Sequence, residues 1–243
     1  MTLELLIYSL LLFTALFVIG TLLCLALYKW EYARFFHSAL WTKVLYWIPI
    51  FLIFLAILYL QLWAAAFITL VIIYFAIREV LRLSQKSWLA WIYMIAISLA
   101  LTHLILFFAV LDSQQSVTVL LVVGFSSVMS DVCAYFFGNF FGRHKLPNQI
   151  NPNKSWEGVA GQLIGACIGF LLIVPVLHPA PSFVLAILVG LASALGDILN
   201  SVVKRRMGIK DWGTTIPGHG GVLDRFASLA FAIAVAFWWT ILF

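Results

Sequence analysis

The stretch VLYWIPIFLIFLAILYLQLWAAAFITLVIIYFAI, residues 44–77, decides the fold class because it contains no charged residue. At about 1.5 Å per residue it would form a helix about 50 Å long, whereas the hydrocarbon core of a bilayer is about 30 Å thick. We therefore divide this run near Gln61 into two membrane spans. The alternative is one long, tilted helix, which would reduce the number of spans by one.

The whole chain has the composition of a membrane protein. Of its 243 residues, 65% are hydrophobic and 9% are charged, whereas a soluble domain carries roughly 25% charged residues. We predict an all-α, polytopic transmembrane helix bundle that forms a single membrane domain over residues 1–243. We expect about eight spans, within a range of seven to nine: 3–28, 44–60, 62–78, 87–110, 116–138, 157–177, 182–203 and 224–243.

The two parts of the chain differ in their polar residues. Residues 1–110 form apolar spans with little chemistry, and the first is expected to be a permanent span because its apolar run exceeds that of a signal peptide. Residues 111–243 carry nearly every unusual polar residue. We therefore expect the functional site in the second part.

The basic residues predict the orientation. All 14 Lys and Arg residues fall in the segments 29–43, 79–86, 139–156 and 204–223 or at adjoining helix ends. By the positive-inside rule these segments are cytoplasmic and both termini are outside. A bacterial cytoplasmic membrane is the expected location, and an endoplasmic reticulum membrane also fits.

Two carboxylates, Asp131 and Asp197, lie inside predicted spans. An ionisable residue in a bilayer is costly and usually functional, although a structural ion pair is the alternative interpretation. Asp197, Asn200, Ser201 and Lys204 are spaced so that they share one helix face. This polar face leads directly into the next loop.

That loop, KRRMGIKDWGTTIPGHGGVLDR at 204–225, holds seven charged residues and five of the 15 glycines. Asp197 precedes this loop and Asp224 lies at its end. Carboxylates of this kind bind Mg²⁺, while Lys and Arg neutralise phosphates. The pattern favours phosphoryl or nucleotidyl transfer at the membrane surface. A glycine-rich re-entry turn with basic membrane anchors is the alternative.

Three segments together resemble the signature of the phosphatidate cytidylyltransferase family, also called CDP-diacylglycerol synthases. They are SDVCAYFFGNFFGRHKL at 130–146, NPNKSWEG at 151–158 and SVVKRRMGIKDWGTTIPGHGGVLDRF at 201–226. The resemblance implies transfer of a cytidylyl group from CTP to phosphatidate or a similar lipid phosphate, with Mg²⁺ and possibly a second cation such as K⁺. It implies membrane lipids and a homodimer as partners, and no nucleic acid.

The resemblance also implies roles for individual residues. Asp197 and Asp224 would be metal ligands and, with Lys204 and Arg225, catalytic residues. Substrate would be bound by Asp131, Lys145, Lys154, Ser201, Arg205, Lys210, Asp211, His219, Gly220 and Gly221.

The chain departs from the family pattern at one position. The signature closes with Asp-Arg-x-Asp, whereas this chain has Asp224, Arg225, Phe226 and Ala227. The missing carboxylate would lie on the same helix face as Asp224 and could weaken cation binding, change the substrate or abolish turnover. Two other functions therefore stay open: a CTP-dependent kinase of a lipid alcohol, and a non-catalytic protein that binds lipid phosphates.

Overall fold

The computed structural model describes residues 2–83, 87–147, 150–216 and 220–243. These residues are predominantly helical and contain no β-strand. The helices are α1 (Leu3–Leu27), α2 (Tyr32–Phe36), α3 (Ala39–Leu60), α4 (Leu62–Leu81), α5 (Trp88–Val110), α6 (Ser113–Phe140), α7 (Trp156–Ile173), α8 (Phe183–Arg206) and α9 (Val222–Leu242), and a 3₁₀ turn at Val174–Val176 follows α7. The predicted all-α architecture is confirmed for the described part of the chain.

Eight of these helices, all except the short α2, are long and apolar enough to cross a membrane. The uncharged run does break at Gln61, where a positive φ of 53° ends α3 and starts α4. The alternative of one long helix is therefore wrong. Several helices extend beyond the predicted spans: α6, for example, reaches from Ser113 to Phe140. Hydropathy detects the apolar centre of a span, whereas polar ends and capping residues such as Asp112 continue the helix into the interface.

The helix α6 is the centre of the bundle. In its most apolar stretch of 18 residues 61% are buried, whereas the corresponding fraction of α1 is 11%. Three glycines of α7, Gly161, Gly165 and Gly169, lie against the α6 backbone: a Cβ on Gly165 would lie 2.2 Å from the carbonyl oxygen of Met129. This glycine repeat therefore lets α7 pack closely against α6, because no larger residue would fit.

A second close crossing brings α8 and α9 together at Gly196. A Cβ at this position would lie 2.9 Å from both the carbonyl oxygen of Ala227 and the Cα of Ser228. On its other side, α9 packs against α5, and residues of both helices join a buried cluster that includes Tyr93, Trp212 and Leu223. These crossings fix the ends of α8 and α9 beside each other, and the candidate site lies there.

Candidate active site

The candidate site forms where the C-terminal end of α8, the N-terminal ends of α7 and α9, and the C-terminal end of α4 meet. The described residues of two connecting segments contribute to it: 141–147 and 150–155, which precede α7, and 207–216 and 220–221, which lie between α8 and α9. A backbone bridge between Lys145 and Ser155 shapes the first segment, and the hydroxyl of Ser155 caps α7 by accepting a hydrogen bond from the Gly158 N–H. The segments that carry the predicted motifs are thus brought to one end of the bundle.

Asp197 is held by two donors from other parts of the chain. Its Oδ2 accepts hydrogen bonds from Lys154 Nζ and from Gln162 Nε2, each 2.9 Å long. Gln162 is buried in α7, whereas the Asp197 side chain keeps a quarter of its surface exposed. The carboxylate is therefore charge-paired yet accessible from one side.

Asp224 lies in the first turn of α9 and is almost completely buried, with 5% of its side chain exposed. Lys204 Nζ lies 2.5 Å from its Oδ1. Its Oδ2 accepts hydrogen bonds from the backbone N–H of Trp212, at 2.8 Å, and of Gly221, at 2.9 Å. This carboxylate thus ties the last turn of α8 to Trp212 and Gly221 of the glycine-rich loop, through charge-assisted hydrogen bonds.

The polar face of α8 makes contacts along its whole length. Between Asp197 and Lys204, Asn200 Oδ1 accepts a hydrogen bond from the indole nitrogen of Trp212 at 2.8 Å. Ser201 Oγ accepts one from Asn151 Nδ2 at 3.3 Å. The polar residues of this face therefore bind both connecting segments and the helices α7 and α9.

Asp131, on α6, belongs to the same charged group. Among the described residues, the charges of Asp197, Lys154 and Arg225 act on its carboxyl group. Arg225 is exposed at the start of α9. The structure thus brings together six of the predicted residues: Asp131, Lys154, Asp197, Lys204, Asp224 and Arg225.

Other predicted residues lie around this group. Lys145, Lys210 and Asp211 are exposed and Arg205 is half-buried; none of the three basic residues forms an ion pair within the described part of the chain. Gly220 adopts a positive φ of 84°, a conformation that favours glycine. Gly221 lies against Glu79, where a Cβ would approach the carboxylate oxygen Oε2 to 2.6 Å. The prediction for His219 falls outside the described residues.

Glu79 is a residue of the site that the sequence did not single out. Its side chain is buried at the C-terminal end of α4, with 2% of the residue exposed. Oε1 accepts hydrogen bonds from the Thr215 hydroxyl and the Val222 N–H, both 2.6 Å long, and Oε2 accepts one from the Leu223 N–H at 3.0 Å. The carboxylate thus caps the N-terminus of α9, where unpaired N–H groups favour a negative charge.

Gln162 and Trp212 were also not assigned to the site from the sequence. For Glu79, the sequence shows only that one acidic residue lies between Arg78 and Arg82 at the end of an apolar span. Gln162 lies one residue after Gly161 in the glycine repeat, which hides its polar role. These contacts join residues far apart in the chain, and only the packing of the helices reveals them.

Ala227, where the family pattern has a carboxylate, is fully buried in α9. Its backbone carbonyl faces Gly196, the residue before Asp197. The position is therefore a packing position within the α8–α9 contact, one turn after Asp224. Throughout the described ranges, no three His, Cys, Asp or Glu side chains are grouped so that they could hold a metal ion.

A comparison with known families decides the membership of this chain, because the profile of the Cytidylyltransferase family matches residues 1–243. The chain belongs to this family. Our prediction of the family is therefore confirmed.

Several curated relatives are similar over part of this family member. A phosphatidate cytidylyltransferase of Mycobacterium leprae is 42% identical over 118 residues, which are 47% of this chain and 37% of the relative. That of Brucella suis is 40% identical over 111 residues, 44% of this chain and 41% of the relative. The uncharacterized protein YnbB of Escherichia coli is 38% identical over 112 residues, 45% of this chain and 38% of the relative. Each match thus spans about two fifths of the relative's own length.

Proposed function

We propose that this chain transfers a cytidylyl group from CTP to phosphatidate, or to a similar lipid phosphate, forming CDP-diacylglycerol and pyrophosphate. One observation carries the proposal: two lysine–carboxylate pairs, Lys154 with Asp197 and Lys204 with Asp224, lie together at one end of a membrane helix bundle. The family membership and the names of the relatives support the same reaction.

The reaction requires little covalent chemistry from the protein. An oxygen of the lipid phosphate forms a bond to the α-phosphorus of CTP, while the bond from that phosphorus to the oxygen bridging the β-phosphate breaks. The bonding electron pair leaves with pyrophosphate, so no protein nucleophile is needed. Catalysis of this kind depends on positioning and on neutralisation of charge.

The lysines can provide that neutralisation by exchanging partners. In the structure, Lys154 and Lys204 neutralise the carboxylates of Asp197 and Asp224. A phosphate that enters the site competes for these ammonium groups, and Arg205, Lys210 and Arg225 add positive charge at its rim. The two lysines are therefore paired with carboxylates before substrate binds. When substrate binds, its phosphates take over part of this pairing.

The residues fit a magnesium ion by their chemistry. Carboxylate oxygens are the ligands that Mg²⁺ prefers, and the mutual repulsion of Asp131 and Asp197 would be relieved by a cation beside them. We propose that Asp197 and Asp224 would hold the ion, with Asp224 exchanging its contact with Lys204 for one with the ion, and that Asp131 would lie near them. When bound, Mg²⁺ would neutralise charge on the triphosphate.

The membrane setting of the reaction is also a proposal. The basic residues favour a cytoplasmic position for the site and an outside position for both termini. Bacterial relatives support the inner membrane of a bacterium as the location. A homodimer stays a prediction.

The proposed function is tested by measuring pyrophosphate release from purified protein in mixed micelles with CTP, Mg²⁺ and phosphatidate. We expect release that depends on both substrates, with CDP-diacylglycerol as the lipid product. Release of CDP in place of pyrophosphate would instead identify a lipid kinase. Binding of phosphatidate without any CTP consumption would identify a non-catalytic lipid-phosphate binding protein.

A further inference from the structure

Tyr93 lies in α5, outside every segment that carries the family signature, yet it packs against Trp212 of the site. Its ring stacks on the indole of Trp212, with 5.5 Å between ring centroids and 4° between ring planes. Trp212 in turn donates its backbone N–H to Asp224 and its indole N–H to Asn200. The phenol is therefore held in place by a residue that contacts both α8 and α9.

The hydroxyl of Tyr93 is an unpaired polar group in a buried position. The residue is 6% exposed, and its hydroxyl has no hydrogen-bond partner among the described residues. Buried serine and threonine hydroxyls in a helix can bond to the carbonyl of the preceding turn, but the long tyrosine side chain cannot reach its own backbone in this way. An unpaired buried hydroxyl destabilises a fold, so the fold alone gives no reason for an oxygen here.

Residues of the proposed active site surround this hydroxyl. Among the described residues, the carboxylates of both Asp197 and Asp224 act on it through their charge. Tyr93 and Ala227 belong to the same buried cluster. Tyr93 of α5 and Ala227 of α9, the position at which the family signature has a carboxylate, therefore contribute to the same core.

We infer that Tyr93 is a further substrate-positioning residue, whose hydroxyl donates a hydrogen bond to a phosphate oxygen bound between Asp197 and Asp224. The inference rests on the proposed function. A neutral donor suits this place because the lysines already supply the positive charge, whereas a directional hydrogen bond fixes the orientation of the phosphate.

The test compares Tyr93→Phe with Tyr8→Phe, since each variant removes one hydroxyl from one buried or half-buried tyrosine. Tyr8 donates a hydrogen bond of 2.7 Å to the carbonyl oxygen of Leu172, far from the site in sequence. We expect Tyr93→Phe to lower kcat/KM for pyrophosphate release about tenfold or more, with an equal or higher melting temperature. We expect Tyr8→Phe to lower the melting temperature and to leave kcat/KM unchanged.

Equal kcat/KM for Tyr93→Phe and the natural protein would overturn the inference, as would a loss of activity that a lower melting temperature accompanies. If the natural protein releases no pyrophosphate, the proposed reaction fails, and equilibrium binding of phosphatidate in micelles then decides the role of Tyr93. Weaker binding by Tyr93→Phe alone would support the inference. Equal binding by all three proteins, or binding by none, would overturn it.

Discussion

The ammonium group of Lys204 lies 2.5 Å from Oδ1 of Asp224, so the last turn of α8 and the first turn of α9 are joined by a largely buried ion pair. The 19 residues between these two positions include the connection from α8 to α9, whose two ends this pair brings together. Because Asp224 also binds the backbone of Trp212 and Gly221, one carboxylate fixes the loop at three points. The Asp224 carboxylate thus stabilises the fold and, in the proposed reaction, also takes part in catalysis.

Asp224→Asn is expected to reduce pyrophosphate release about a hundredfold or more, because the variant removes the charge that organises the site. It leaves Lys204 largely buried without a counter-charge, and breaking such a pair costs about 3–5 kcal/mol. The melting temperature of the variant in detergent should therefore fall as well. Normal pyrophosphate release by Asp224→Asn would contradict the proposed site.

The matched control is Asp112→Asn, in which the same substitution changes a helix N-cap away from the site. Asp112 caps α6 by accepting a hydrogen bond from the Gln115 N–H, and asparagine caps a helix about as well as aspartate. Its activity and melting temperature should both equal those of the natural protein.

Glu79→Gln is expected to lower stability and activity together. Glutamine has one carboxamide oxygen in place of the two carboxylate oxygens that accept hydrogen bonds from Thr215, Val222 and Leu223. Leaving a buried N–H unpaired costs about 1–3 kcal/mol. We expect faster proteolysis within residues 207–221, measured by limited digestion and mass spectrometry, and a clear drop in turnover.

Glu31→Gln provides the comparison for Glu79, since Glu31 makes an exposed ion pair with Arg34. Exposed pairs contribute little to stability, so digestion and turnover should match the natural protein. If Glu79→Gln behaves like Glu31→Gln, the loop does not depend on the carboxylate of α4.

Ala227→Asp restores the family pattern at a fully buried position. Without a cation, a buried carboxylate is strongly unfavourable, so we expect a lower melting temperature when divalent metals are removed by chelation. If the added carboxylate reaches the proposed magnesium site, Mg²⁺ should recover much of that loss. If Ala227→Asp has the same melting temperature with Mg²⁺ and with chelator, no cation binds beside residue 227.

The control for this prediction is Ala230→Asp, one turn further along α9 and equally buried. It should be destabilised to a similar extent, and Mg²⁺ should not restore it. Recovery of both variants would indicate a general effect of the ion on the detergent-solubilised protein.

Gly165→Ala tests the contact between α6 and α7. The added Cβ would lie 2.2 Å from the carbonyl oxygen of Met129, so the two helices must separate. We expect a loss of about 1–3 kcal/mol, as for other overpacked positions, measured by thermal unfolding in detergent. Gly20→Ala in α1 meets nothing within 4 Å and should be neutral or slightly stabilising, because alanine favours a helix. Equal stability of the two variants would contradict the close packing of α6 against α7.

The spans could be predicted from the sequence because the bilayer imposes one simple requirement on each of them. An apolar run must be about as long as the membrane is thick, and the uncharged run 44–77 exceeds that length. Helix ends were less well predicted, since polar residues such as those of α6 at 113–115 continue a helix outside the apolar core. The glycine repeat of α7 is a signal of close packing in the sequence, because only small residues allow helices to approach so closely.

The sequence by itself determined the all-helical class, the break at Gln61 and the family, because hydropathy and a long motif are local properties of the chain. Only the tertiary structure decided which donors hold each carboxylate: Lys154 and Gln162 for Asp197, and Lys204 for Asp224. It also placed Glu79 and Tyr93, from spans without any motif, against the glycine-rich loop and its tryptophan. Such contacts depend on which helix faces meet. No local sequence pattern predicts this, because packing in a membrane depends on the fit of whole helices.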